Sequence, residues 1–212
     1  MVNRHKLGKS AKTRGNGYEN EVAKQLSNWY GREQPAFYRV PGSGSHHWST
    51  SMNVDADVTA DPDLKFNYII ECKRYAGWTI ENLIMNNSYF PSWVAQAIRE
   101  GMAVGHVPLL IYRRNLIKSY VTAPYNRKLT KLDTYLVTHT KYTSEVDGNE
   151  KEIKTVTFML ADVLAKYDYD QFNKLYDDTD WTKQVTMIKA KPKSKAKPVD
   201  AVAKAMKELS KL

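Results

Sequence analysis

Residues 54–75 read V-D-A-D-V-T-A-D-P-D-L-K-F-N-Y-I-I-E-C-K-R-Y, and the rest of the chain is organised around them. Val58-Thr59-Ala60 forms a short strand entered at Asp57. Asp61-Pro62-Asp63 supplies turn chemistry, because proline fixes φ and aspartate side chains bond nearby backbone N–H groups. A second strand covers 67–74, with the β-rich run Tyr68-Ile69-Ile70 inside it. Side chains alternate along a strand, so Glu71 and Lys73 share one face while Cys72 points to the other. If the two strands pair, Asp57 approaches that face, and two carboxylates and an ammonium converge.

Such a trio has a chemical logic. Two carboxylates without imidazole or thiolate suit a hard cation, Mg²⁺ above all, and the same oxygen ligands accept Mn²⁺. A cation held there polarises a phosphate ester and helps make hydroxide. A lysine beside it orients water or offsets charge building on the phosphate. Glu-x-Lys alone is common on strands as a solvated ion pair. The upstream Asp57 and the apolar run before Glu71 set this one apart.

With 212 residues, 42% of them hydrophobic and 11% aromatic, the chain accommodates one domain of ordinary size with extensions. Its apolar runs all fall short of the roughly 20 residues of a membrane span, and the N-terminus lacks a signal-peptide core. One cysteine excludes an internal disulfide framework and a cysteine-based zinc finger. The expectation is an intracellular protein away from membranes, cytoplasmic or encoded by a phage. The net charge of +9 sits in the two ends. Residues 1–15 carry five Lys/Arg and no acid, and residues 182–198 carry six Lys and no acid. Basic ends on a nearly neutral body suit a polyanion, most simply a nucleic-acid backbone.

Taken in order, residues 1–15 read as a flexible basic arm. The apolar spacing of Val22, Leu26, Trp29 and Tyr30 predicts a helix over 18–30 that stops at Gly31. Glu19 and Glu21 then fall in its first turn, where acids suit the helix dipole; a further carboxylate for the metal site is the other reading. A strand at 37–40 leads into the loop P-G-S-G-S-H-H-W-S-T-S at 41–51, small, polar and aromatic-tipped, which suits a phosphate backbone. His47 and Trp48 are candidates for DNA contact. His46 and His47 point apart on extended backbone, which argues against zinc. A helix over 91–104, a buried strand over 107–112 and a strand over 116–122 complete an α/β core with a mixed sheet. Beyond it, strands at 134–143 and 154–159 form a hairpin about Asp147-Gly148-Asn149, and 160–176 is helical. Residues 182–199 read as a Lys/Pro-rich linker and 200–212 as a short amphipathic helix. The expected organisation is therefore a body over 16–181, with core 16–122 and extension 123–181.

The order helix with Glu, strand, Asp, strand with Glu-x-Lys, helix, strand resembles the PD-(D/E)xK nuclease superfamily. Within it the pattern is most similar to the archaeal-type Holliday junction resolvases. Arg14-Gly15-N-G-Y-Glu19, R-V-P-G-S-G-S at 39–45, Asp57-Val58-T-A and I-I-Glu71-C-Lys73 carry the likeness, which spans about 14–122. Two departures stand out. Ala56 occupies the place of the superfamily's proline, which leaves Asp55 and Asp57 as alternatives, with V-T-A after it favouring Asp57. The loop from Ser43 to Val54 is also long for the family.

The resemblance implies a restriction-endonuclease-like core: a central mixed β-sheet flanked by helices, here with a C-terminal hairpin and helix extension. It implies that Asp57, Glu71 and the Cys72 carbonyl bind Mg²⁺, that Lys73 positions water, and that Glu19 sits near the metal directly or through water. It implies DNA contacts from Arg14, Ser43 and Ser45, to which the basic tail adds Lys189, Lys191, Lys193, Lys195 and Lys197. It further implies a homodimer that cuts opposing strands of a four-way junction. The alternatives are a nuclease of the same superfamily acting on flaps, duplexes or a specific sequence, and a nucleic-acid-binding protein without catalysis.

Overall fold

The computed structural model describes residues 4–31, 35–41 and 56–188, with side chains from Thr13 onward. Its centre is an 8-stranded mixed sheet in the order β1-β2-β3-β4-β5-β7-β6, with β8 also on β7. The strands are β1 (Phe37–Arg39), β2 (Val58–Ala60), β3 (Tyr68–Arg74), β4 (Val107–Arg113), β5 (Tyr120–Pro124), β6 (Tyr135–Thr143), β7 (Glu150–Met159) and β8 (Val185–Met187). β3 and β4 run parallel, and every other pair is antiparallel. A parallel pair needs a crossover, and α2 (Ile80–Ile84) and α3 (Phe90–Val104) provide it. β4 is buried along nearly its whole length, as its unbroken run V-P-L-L-I-Y requires.

Helices cover the sheet on its two faces. α1 (Arg4–Tyr30) packs on β1, β2 and β3 through Tyr18, Val22, Ala23 and Leu26, a helical stripe with no more than 5% exposure. α3 packs on β3, β4 and β6 through Phe90, Trp93, Val94, Ala97 and Ile98. α4 (Leu160–Lys166) and α5 (Tyr169–Asn173) come after β7, and α5 rejoins α1 through a Tyr30–Tyr169 edge contact with centroids 4.6 Å apart. The expected restriction-endonuclease-like α/β architecture is what the chain adopts. Among the described residues, no helix is long and apolar enough to cross a membrane.

The structure corrects four expectations. α1 begins at Arg4, so residues 4–15 are helical rather than an arm, and the helix does not start at Tyr18. Gly15 and Gly17 each cost about 1 kcal/mol in a helix, but propagation from a turn already anchored in the core is cheap and no proline intervenes. β5 begins at Tyr120, because Leu116 lies in a turn with φ +62° and is fully exposed. The helical region over 160–176 breaks at Tyr167 and Asp168, where Asp168 caps α5 by accepting from the Gln171 N–H at 2.8 Å. Residues 182–188 belong to the fold, since a 3₁₀ turn at Trp181–Gln184 leads into β8 on β7, so the linker does not begin at 182. The hairpin stands as expected, with Gly148 at φ +69°.

Candidate active site

Asp57 stands where β2 and β3 separate. Its N–H donates to the Ile70 carbonyl at 2.9 Å, and Val58 pairs with Ile70, but the pairing ends there. Beyond that point the carboxylate replaces the strand, with Oδ2 accepting from the Cys72 N–H at 2.8 Å. The N–H and C=O of one strand residue point to the same lateral side, so the Cys72 carbonyl also faces the gap beside Asp57. The Cys72 side chain packs among core residues of the α1 face. Burial, then the charges of Asp57 and Glu71, push its pKa well above the usual thiol range, so it stays a thiol.

Glu71 and Lys73 lie on the α3 side of β3. The Lys73 ammonium bonds Glu71 Oε1 directly and donates to Gln96 Oε1 at 2.9 Å. Gln96 Nε2 donates to Glu100 Oε1 at 3.0 Å, which also accepts from Arg99 at 2.9 Å. Arg99 then reaches Glu145, between β6 and β7, at 2.6 Å. A chain of polar contacts thus runs from the lysine along α3 to the hairpin. Trp93, Gln96 and Glu100 occupy one stripe of α3 at helical spacing. A polar pair on an otherwise apolar stripe is the sequence signal that marks Gln96 and Glu100, and a reading confined to the strands misses it.

Electrostatics bind the cluster. Burial raises the Glu71 pKa well above the usual carboxylate range; Asp57 and Glu100 add to this and Lys73 opposes it. Burial alone would lower the Lys73 pKa, but Glu71, Asp57 and Glu100 outweigh it and the ammonium is held more firmly. Glu19 projects from the middle of α1 and pairs with Arg39 of β1 at 2.6 Å. Burial first and the Asp57 charge second raise its pKa against the pull of Arg39. Because α1 starts at Arg4, Glu19 is not in a first turn, and helix-dipole capping cannot explain it. Glu21 faces elsewhere, paired with Arg113 at 2.6 Å.

Glu71 Oε2 and Glu100 Oε2 are both buried and neither meets a donor among the described residues, although a proton on either carboxyl lets Glu71 and Glu100 bond to each other. An orphaned carboxylate oxygen deep in a fold costs free energy unless something positive meets it. Among the described residues no group of three or more His, Cys, Asp or Glu forms a metal cage. Asp57, Glu71 and a backbone carbonyl are a set of hard oxygens, which suits a cation that keeps several waters. A cavity of about 490 Å³, with Tyr38, Thr59, Lys65 and His106 in its wall, opens at the other end of β2 and β3 and has no part in this site.

Residues 10–174 match the family described as "Phage putative PDDEXK endonuclease". The chain belongs to this family. Neither the curated proteins nor the solved structures contain a match. A phage PD-(D/E)xK endonuclease is a nuclease, and the matched stretch includes Asp57, Glu71 and Lys73.

Of the other expected site residues in this endonuclease chain, Arg14 is exposed on α1, on the same helix as Glu19. Ser43, Ser45, His47, Trp48, Asp55 and the tail lysines Lys189, Lys191, Lys193, Lys195 and Lys197 lie outside the described residues, as does the expected helix over 200–212.

Proposed function

We propose that this endonuclease is Mg²⁺-dependent and cuts four-way DNA junctions as a homodimer. The metal-dependent reading rests on one observation above all: two buried carboxylates, Asp57 and Glu71, close enough for the charge of Asp57 to raise the Glu71 pKa, with a Glu71 oxygen that meets no donor among the described residues. PD-(D/E)xK nucleases typically use divalent cations. A bound cation polarises the phosphate and lowers the pKa of water, and Mn²⁺ fits the same oxygens.

Asp57 and Glu71 hold the cation, with the Cys72 carbonyl as a further ligand. Lys73 orients the attacking water, and Gln96 keeps the ammonium in place by taking one of its hydrogen bonds. Glu19 joins the hydration shell through water. Arg14, the loop at 41–51 and the lysine-rich tail hold the phosphate backbone without reading sequence. The junction preference draws support from the likeness of Arg14-Gly15 with Glu19, the Ser/Gly loop, Asp57 and Glu71-x-Lys73 to the archaeal-type resolvases.

The test is a comparison of labelled four-way junction and matched linear duplex with Mg²⁺. Paired symmetric nicks confined to the junction are expected. Equal cutting of both DNAs would retain the nuclease and discard the junction preference.

A further inference from the structure

Two rows of side chains face each other across the site. Alternation along β3 puts Glu71, Lys73 and Tyr75 on one face, and the Tyr75 N–H still ladders to the Arg113 carbonyl at 3.1 Å. Helical spacing gives Tyr89, Trp93, Gln96 and Glu100 on the facing stripe of α3. Gln96 meets Lys73; one step further out, Tyr89 and Trp93 meet Tyr75. The catalytic row therefore ends in an aromatic cluster.

That cluster is open and held in shape. Tyr75 and Tyr89 pack edge to face with centroids 5.0 Å apart, and Trp93 closes the back at 6.1 Å from Tyr75. Trp93 is 9% exposed, but Tyr75 keeps 38% and Tyr89 55% of their surface open. A Cβ at Gly77 would lie 3.0 Å from two ring carbons and the hydroxyl oxygen of Tyr75, so that side chain lies against the glycine. The loop before Tyr89 carries two non-glycine residues at positive φ, Asn86 at 51° and Ser88 at 59°. Asn86 is clamped on β6, donating to the Lys141 carbonyl at 2.8 Å and accepting its N–H at 3.1 Å. Such backbone persists where surrounding contacts over-determine it.

We propose that Tyr75 and Tyr89, backed by Trp93, are a stacking site for an unpaired DNA base next to the cleaved phosphate. This rests on the nuclease reading and adds a substrate class to it: DNA with a locally unstacked nucleotide. The occupant is set by position. Tyr75 is two residues past Lys73, about 7 Å along the strand and about one extended nucleotide. A backbone phosphate at Lys73 therefore delivers its neighbouring base to the rings. Exposed aromatics bind bases of any sequence through their π faces, and a paired, stacked base in a duplex cannot present its own.

The test measures binding in EDTA, so that no strand is cut. Two DNAs are compared: a duplex with a two-nucleotide gap opposite 2-aminopurine, and the same duplex fully paired. Wild type should prefer the gapped DNA and change the 2-aminopurine fluorescence. Tyr89→Leu and Tyr75→Leu should each weaken gapped binding by roughly tenfold or more while duplex binding stays within about twofold. Tyr89→Phe, which keeps the ring, should bind as wild type does. Equal losses on both DNAs, or none on either, would overturn the stacking site. So would self-association of the wild type that Tyr89→Leu abolishes, since the patch would then be covered by a second copy. Cutting of a four-way junction with Mg²⁺, measured in parallel, reports on the nuclease reading alone. A gap preference without cutting would leave the stacking site standing and remove that reading.

Discussion

At the scale of residues, the site is a small number of charges forced into each other's company. Glu71 is 2% exposed and Asp57 8%, and only Lys73 offsets Glu71 directly. The Glu71 pKa is raised, chiefly by burial, so the folded state binds a proton the unfolded chain has lost. Stability without cation is therefore full below the ordinary glutamate range and falls as pH rises through the raised value. A divalent cation reverses that loss, because it favours the ionised form. Thermal midpoints in EDTA should decline over this window, the rise produced by Mg²⁺ should grow with pH, and Glu71→Gln should flatten both trends. A second prediction concerns Gln96. Gln96→Ala removes one acceptor from the Lys73 ammonium and one donor from Glu100, without touching Asp57 or Glu71. Turnover should drop by about 10- to 100-fold, the range for a group that orients a catalytic one, with KM little changed. Steady-state kinetics on one DNA substrate measure both. Asp57, Glu71 and Lys73 were legible because strand alternation decides a face from spacing alone. The Arg99–Glu145 pair was not, since it depends on the hairpin reaching back to α3 across 46 residues of chain.

At the scale of elements, periodicity located the helices and strands, and tertiary support moved their ends. α1 extends through Gly15 and Gly17 because its buried stripe of Tyr18, Val22 and Leu26 anchors the helix from its C-terminal half. Local composition around those glycines reads as a loop. β5 starts late for the opposite reason: the alternation from Leu116 looks like a strand, yet Leu116 takes up a left-handed turn. The junction of α3 and β4 offers the sharpest test of packing. A Cβ at Gly101 would lie 2.8 Å from the His106 carbonyl oxygen and 3.1 Å from Pro108. The His106 N–H in turn donates to the Gly101 carbonyl at 3.0 Å, so the obstructing backbone is tied in place. Gly101→Ala should cost about 1–3 kcal/mol despite its helix propensity, because overpacking outweighs the gain. Urea unfolding monitored by circular dichroism gives the value. A neutral or stabilising result would mean that this junction yields readily.

At the scale of the whole molecule, the core that carries the site is completed by the C-terminal extension. β7 pairs with β5 on one edge and β6 on the other, and β8 continues the β5 edge, so the hairpin extends the sheet rather than forming a separate unit. Arg99 and Glu145 connect that extension to the row behind Lys73. The basic ends were visible in composition, but their placement was not: residues 4–15 join a helix, while the tail lysines fall outside the described residues. Deleting residues 189–212 removes Lys189, Lys191, Lys193, Lys195 and Lys197 along with the terminal segment. DNA affinity should fall and its salt dependence flatten, by up to about 0.9 in log–log slope for each phosphate that a lysine no longer neutralises, with the thermal midpoint retained. Binding titrations over a salt series measure this. The central claim concerns the trio at the mouth of β2 and β3. The most direct measurement is single-turnover cleavage of labelled DNA at saturating protein, in Mg²⁺ or EDTA, by wild type and by Glu71→Gln. Cutting by wild type in Mg²⁺ only, and a loss of about a hundredfold or more in Glu71→Gln with DNA binding intact, is the predicted result. Cutting by Glu71→Gln at the wild-type rate, or by wild type in EDTA, would contradict it.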